Sequence, residues 1–169
     1  MPLLSRRSRR ALRFWPLVSV VFLVDCTTKR LAEDHLAHPG VPHRIVGDAV
    51  RFTLAYNEGG ALGIRMGPWG SDLLILVSLV LILGLGGFYR GLPPDAGFRP
   101  EALALLVGGA CGNLLDRLTS PLGVVDFIDL GMGPLRFWTF NVADAAIVSG
   151  AALLAWCLWR DPKAGRSPP

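Results

Sequence analysis

LLILVSLVLILGLGGFY, residues 73–89, carries no charged side chain and no proline. It is a little shorter than the ~20 apolar residues that cross a bilayer as a helix, and it is one of four such runs. FWPLVSVVFLV (14–24), ALALLVGGACGNLL (102–115) and AAIVSGAALLAWCLW (145–159) are also free of charge. A soluble core can bury one run of this kind. Four in a chain of 169 residues leave too little polar surface to cover them. The composition agrees: 18% of residues are charged, against about a quarter in soluble domains. The reading is an all-α membrane protein with four transmembrane helices and one domain over 1–169. A basic arm (1–13) precedes the first span, an outer β-like segment (43–67) follows it, and the tail (161–169) is read as disordered.

Because each run is short, each helix must continue past its uncharged centre. The first takes in Asp25 and Lys29, the third reaches Asp116, and the fourth starts near Asp144. A carboxylate at the bilayer margin is costly unless it is paired or working. Asp25, Asp116, Asp126 and Asp144 all fall on the same side of the four segments. Lys and Arg set the orientation. Ten of the 17 lie in the N-terminal arm, the 90–101 connection and the tail, and seven lie in the two opposite loops. Both termini are therefore expected in the cytoplasm and the four aspartates on the outer side. The same distribution accounts for the net charge of +4 without a nucleic-acid partner.

Residues 1–26 mimic a cleavable export signal, but Asp25 is no small residue before a cleavage site and no soluble domain follows. An uncleaved first span fits better. Pro39, Gly40 and Pro42 end that helix. Val50–Tyr56 alternates in part, as a short strand does, Asn57-Glu58-Gly59-Gly60 is a turn signal, and Ala61–Met66 is expected to return as a second strand. Residues 117–140 are expected to be an outer loop broken by Pro121, Gly123, Gly131, Gly133 and Pro134. Phe137, Trp138 and Phe140 suit an interfacial aromatic belt. Cys26, Cys111 and Cys157 lie in or beside separate spans, which argues against disulfides.

Asp126 and Asp144 are the strongest candidate pair. Two facing carboxylates cannot both ionise cheaply, so they share a proton. One can then act as base on a water while the other donates to a carbonyl oxygen. The plainer alternative is that Asp144, or Asn141 equally well, caps the fourth helix. Asp25 and Lys29 are four apart on one helix face, which predicts a mutual ion pair. Asn113 and Asp116 also share a face. Arg117 either neutralises Asp116 or reaches toward the carbonyls of a peptide. His35, His38 and His43 lack a metal-binding pattern, and no serine-hydrolase signature occurs.

Asp25-x-x-x-Lys29, Asn57-Glu58-Gly59-Gly60-Ala61-Leu62-Gly63, Gly108-Gly109-Ala110-x-Gly112-Asn113-x-x-Asp116-Arg117, Val124-Val125-Asp126-Phe127 and Phe140-Asn141-Val142-Ala143-Asp144 resemble, in order, the blocks of the lipoprotein signal peptidases (signal peptidase II). The resemblance implies an aspartyl peptidase of the bacterial cytoplasmic membrane that cuts diacylglyceryl-modified prolipoproteins before the lipidated cysteine. It implies that Asp126 and Asp144 are catalytic and need no cofactor or metal. Asn57, Asn113, Arg117 and Asn141 would line the substrate site, and Asp25, Lys29 and Asp116 would support it. It further implies an outer sheet-like cradle and inhibition by the cyclic peptide globomycin. Cys26 stands where the family usually has Gln, and Gly60 and Leu62 where it has Ala and Phe. These departures bear on substrate fit and on the stiffness of the turn, not on the paired acids. A small proton-coupled transporter is the alternative reading. It predicts repeats and acids near mid-membrane, whereas here the acids cluster at one edge.

The topology has a direct test. Reporter fusions after Gly97 and at the C-terminus should report cytoplasm, and fusions near Gly47 and Gly131 the outer side. A cytoplasmic signal at Gly131 would put Asp126 on the wrong face.

Overall fold

The computed structural model describes residues 6–36, 38–58, 69–93 and 95–160. Its elements run α1 (Arg6–His35), β1 (Pro42–Val46), β2 (Val50–Asn57), α2 (Gly70–Gly91), α3 (Arg99–Thr119), β3 (Val124–Met132), β4 (Leu135–Arg136) and α4 (Val142–Arg160). Three helices, α1, α2 and α4, are long and apolar enough to cross a membrane. α3 has comparable length, 21 residues, but carries Arg99, Glu101, Asp116 and Arg117. It is also the most enclosed helix: Ala102, Leu103 and Ala104 are fully buried, and it packs against α1, α2 and α4. α2 lies at the other extreme. Leu76, Val80, Leu81 and Leu83 are all more than half exposed, as expected where hydrocarbon rather than protein covers the helix.

Close approach to α3 depends on its glycines. A Cβ on Gly108 would meet Val21 of α1 at 2.9 Å, and one on Gly112 would meet Asp25 Oδ2 at 2.3 Å. One on Gly109 would meet the Ala143 carbonyl oxygen of α4 at 2.5 Å. Gly108 and Gly112 thus admit α1 along one face, and Gly109 admits α4 on another. Helices in hydrocarbon gain little from hydrophobic burial, so this kind of backbone contact is what holds them together.

The two ends of the bundle differ. At one end Phe14 stacks on Tyr89 with ring centroids 3.9 Å apart, inside a cluster with Leu92, Ala96, Leu103 and Val107. Arg13 pairs with Glu101 and donates to the Gly97 carbonyl at 2.8 Å, tying the start of α1 to the α2–α3 connection. The other end carries a four-stranded antiparallel sheet in the order β1-β2-β3-β4. Leu54, Val125 and Phe127 of the sheet pack on Ala32 and Leu36 of α1.

The sheet is built differently from the sequence reading. β2 ends at Asn57 as the turn signal implies, but its partners are β1 and β3. The expected strand at Ala61–Met66 lies outside the described residues. The segment 117–140, expected as a loop, contains the longest strand, paired so that Ala55 faces Asp126 and Tyr56 faces Val125. The physical reason is burial on both faces. Val124, Val125, Asp126 and Phe127 are all buried, so the alternation that marks a half-exposed strand is absent. Gly123 makes the entry: its φ is +90°, and a Cβ there would lie 2.2 Å from the Asn57 carbonyl oxygen. α1 also begins earlier than expected, with most of the basic arm already helical from Arg6.

Gly109→Ala is the sharpest test of this packing. The added methyl meets backbone, not a movable side chain, so overpacking should cost about 1–3 kcal/mol. That should appear as a lower Tm in detergent, whereas Gly84→Ala on α2, with nothing within 4 Å, should be neutral.

Candidate active site

Most of the buried polar groups among the described residues meet where α1, α3, β3 and α4 converge. Asp25 and Asn141 are fully buried, Lys29 is 2% exposed and Asp126 is 5% exposed. The Lys29 ammonium lies 2.7 Å from Asp25 Oδ2 and 2.8 Å from Asp116 Oδ2. It donates a hydrogen to Asn113 Oδ1 at 2.8 Å. The ammonium thus sits among three polar partners, one from its own helix and two from α3. The ion pair expected between Asp25 and Lys29 is present, and Asp116 completes it.

Each carboxylate then reaches a further element. Asp25 Oδ1 accepts from the Ala143 amide at 2.8 Å, at the second position of α4, where helix N–H groups otherwise lack partners. Asp116 Oδ2 accepts from the Val125 amide at 3.1 Å and so holds β3 beside α3. Two of the four aspartates therefore bind backbone of the elements that carry the other two.

Asp126 and Asp144 are linked by two amides. Asn113 Nδ2 donates to Asp144 Oδ1 at 2.8 Å, and Asn141 Nδ2 donates to Asp126 Oδ1 at 2.8 Å. Asn141 Nδ2 also lies 3.1 Å from Asn113 Oδ1, closing a chain from one carboxylate to the other. Asn57, at the end of β2, hydrogen-bonds Asp126 from the far side. Asn113 and Asn141, assigned from the resemblance to substrate lining, have their side chains committed to this network. Arg117 bonds the Asn113 carbonyl at 3.3 Å and lies within electrostatic reach of Asp144, Asp126 and Asp116.

The capping reading of residues 141–144 is also realised, by both residues at once. The Asp144 amide donates to Asn141 Oδ1 at 2.9 Å, and the Asn141 amide donates to Asp144 Oδ2 at 3.2 Å. This is a reciprocal capping box. It holds one Asp144 oxygen to the helix start, while the other takes the Asn113 amide. Asp126 sits on β3, outside the helices. Burial, and then the charge of Asp144, push its carboxyl up to about 7, with the hydrogen bonds from Asn141 and Asn57 opposing. The Asp126 carboxyl is thus poised to carry a proton near neutral pH.

Asp129, which the sequence reading did not single out, is also buried. It takes Arg136 Nη2 at 2.7 Å and Nε at 2.9 Å and Thr53 Oγ1 at 3.2 Å, locking β3 to β2 and β4. Its spacing from Asp126, three residues on in a strand, offers no signal, because only the sheet brings Arg136 to it.

Two solved structures titled as bacterial membrane enzymes share this fold. One, at 2.3 Å resolution, superposes with a TM-score of 0.76 at 26% identity and covers 90% of this chain and 91% of its own. The other, at 1.9 Å, gives 0.74 at 28% identity, covering 86% and 91%. The fold is that of a membrane enzyme. A family model described as signal peptidase (SPase) II matches residues 17–160, and the chain belongs to that family. Similar proteins include the lipoprotein signal peptidase of Pelotomaculum thermopropionicum, 39% identical over 86% of this chain and 90% of that one. That of Mycobacterium avium is 36% identical over 89% and 80%.

The ion cluster predicts an asymmetric response. Lys29→Met leaves Asp25 and Asp116 buried without their cation and should cost about 3–5 kcal/mol, read as a lower Tm. Adding Asp25→Asn should recover part of the loss. An unchanged Tm for Lys29→Met would mean that the cluster does not hold the helices together.

Proposed function

We propose that the protein is an aspartyl endopeptidase that removes signal peptides from diacylglyceryl-modified prolipoproteins, cutting before the lipidated cysteine. The family membership supports the reaction class. The observation that carries the mechanism is the amide-bridged pair of Asp126 and Asp144, with the Asp126 carboxyl pushed up to about 7. In the resting site Asp126 holds the shared proton. Asp144 lies in the first turn of α4, where the helix end favours negative charge. A water between them loses a proton to Asp144 as its oxygen attacks the scissile carbonyl carbon. Asp126 gives its proton to the carbonyl oxygen, forming a neutral gem-diol. As the C–N bond breaks, Asp144 returns its proton to the departing nitrogen. Asp126 recovers one from the diol as the new carboxyl forms. No atom or charge is left over, and the pair is ready for the next substrate.

The remaining residues divide by their contacts. Asn57 and Arg117 are assigned to the substrate backbone, and Asn113 and Asn141 to orienting the two acids. Asp25, Lys29 and Asp116 hold the elements that carry them. α3 is taken as a fourth span, with both termini in the cytoplasm of a bacterium and the sheet on the outer (periplasmic) face of the inner membrane. Membrane lipids surround it, and globomycin is the expected inhibitor. The transporter alternative gains no support, since the acids form one closed network at one end of the bundle.

Asp126→Asn and Asp144→Asn should each abolish cleavage of a lipidated prolipoprotein in a gel-shift assay while globomycin-independent folding persists. Turnover by either variant would remove that residue from the mechanism. The pH profile carries a sign. Asp126 must be protonated, so activity should fall as pH rises through about 7. Its raised value also means that folding takes up a proton, so stability is greatest below the ordinary carboxyl range and declines as pH rises toward 7. Activity that climbs steadily through neutrality would assign the acid elsewhere.

A further inference from the structure

We propose that the arginine-lined pocket at the end of the bundle opposite the sheet binds the phosphodiester of an anionic phospholipid. The proposal rests on the membrane reading of the fold and is independent of the peptidase chemistry.

The pocket, about 370 Å³, lies between the start of α1 and the α2–α3 connection. Arg9, Arg10 and Arg13 line it, with Asp95, Gly97 and Pro100 opposite. Two of the arginines are held in place. Arg13 donates to the Gly97 carbonyl and pairs with Glu101. Arg10 donates to the Leu92 carbonyl, and its guanidinium lies 4.9 Å from the centre of the Tyr89 ring. Arg9 is exposed at the rim. α3 begins at the same place. Its N-cap, Phe98, supplies no side-chain hydrogen bond, and the Arg99 amide donates instead to the Ala96 carbonyl at 3.2 Å. Three guanidiniums against Asp95 in the lining and Glu101 beside Arg13 leave the pocket net positive, which suits a phosphate.

Three further features favour a lipid phosphate over a free one. Leu12 and Trp15, on the same stretch of α1, are each 59% exposed, a greasy surface along which acyl chains can lie. Trp156 and Trp159 of α4 are exposed at the same end, the level at which tryptophans mark the membrane–water interface. A neighbouring pocket shares Asp95 and Gly97 and adds the exposed Arg160, so the basic surface extends from α1 to the end of α4, as a headgroup site at the interface would.

The test uses the full-length protein in a neutral detergent, with Tm as readout. It is titrated with phosphatidylglycerol, with phosphatidylcholine of the same acyl chains, and with inorganic phosphate. The expected result is a saturable rise in Tm with phosphatidylglycerol alone, its midpoint shifted about tenfold in Arg9→Gln. Native mass spectrometry of Arg9→Gln and Arg13→Gln gives a second readout, in which retained phosphatidylglycerol should fall in both. An equal response to phosphatidylcholine would reduce the contact to acyl chains and overturn the proposal. An equal response to inorganic phosphate would make this a free-anion pocket. A phosphatidylglycerol effect unchanged in both variants would place the headgroup elsewhere. Cleavage of a lipidated prolipoprotein by the same preparation separates this outcome from failure of the enzymatic reading.

Discussion

One ammonium group holds the working end of this protein together. Lys29 is buried between Asp25 on its own helix and Asp116 and Asn113 on α3, pairing with both carboxylates and donating to Asn113. Neither carboxylate would be stable there alone, since removing one member of a buried ion pair strands the other. Neutralised by Lys29, each has an oxygen available for backbone. Asp25 takes the start of α4 and Asp116 takes β3. Asp144 and Asp126 are carried by those same two segments. The positions of the two acids assigned to catalysis are therefore set by two other acids, which share a single cation.

This arrangement explains why helix packing and site geometry cannot be separated. Gly112 exists as glycine because Asp25 occupies the space where its Cβ would be, and Gly109 because the first turn of α4 does. Close helix approach brings Asp25 to α4, and the polar contacts then hold that approach. The Asn141–Asp144 cap adds a further constraint. The carboxylate assigned to catalysis also closes the helix that carries it, so its orientation is paid for in folding and costs nothing during the reaction.

The helices and most of the site were legible in the amino-acid order because their signals are local. Uncharged runs, a lysine four residues after an aspartate, and an Asn and Asp on one helix face all follow from a single period. What was not legible was the sheet. β3 reads as a loop because glycines surround it and because both faces of its first half are buried, which removes the alternation. Missing β3 as a strand also hid the partnership of Asp129 with Arg136 across its hairpin to β4 and the bond from the Val125 amide to Asp116. The bonds that tie Asn113 and Asn141 to the two acids were hidden for a related reason, since they join α3, β3 and α4.

α2 shows the opposite condition to α3. Among the described residues, most of its leucines and valines are exposed, Leu76, Val80, Leu81 and Leu83 by more than half. Their only requirement is solubility in hydrocarbon, which Leu, Ile, Val and Phe meet almost equally. That wall stores very little information. Its residues can be exchanged for one another in bulk, or replaced by a randomised apolar library, with no effect on the catalytic geometry. A designer who wants to attach this enzyme to another membrane protein, to label it, or to tune it to a bilayer of different thickness has one helix face on which to do so freely.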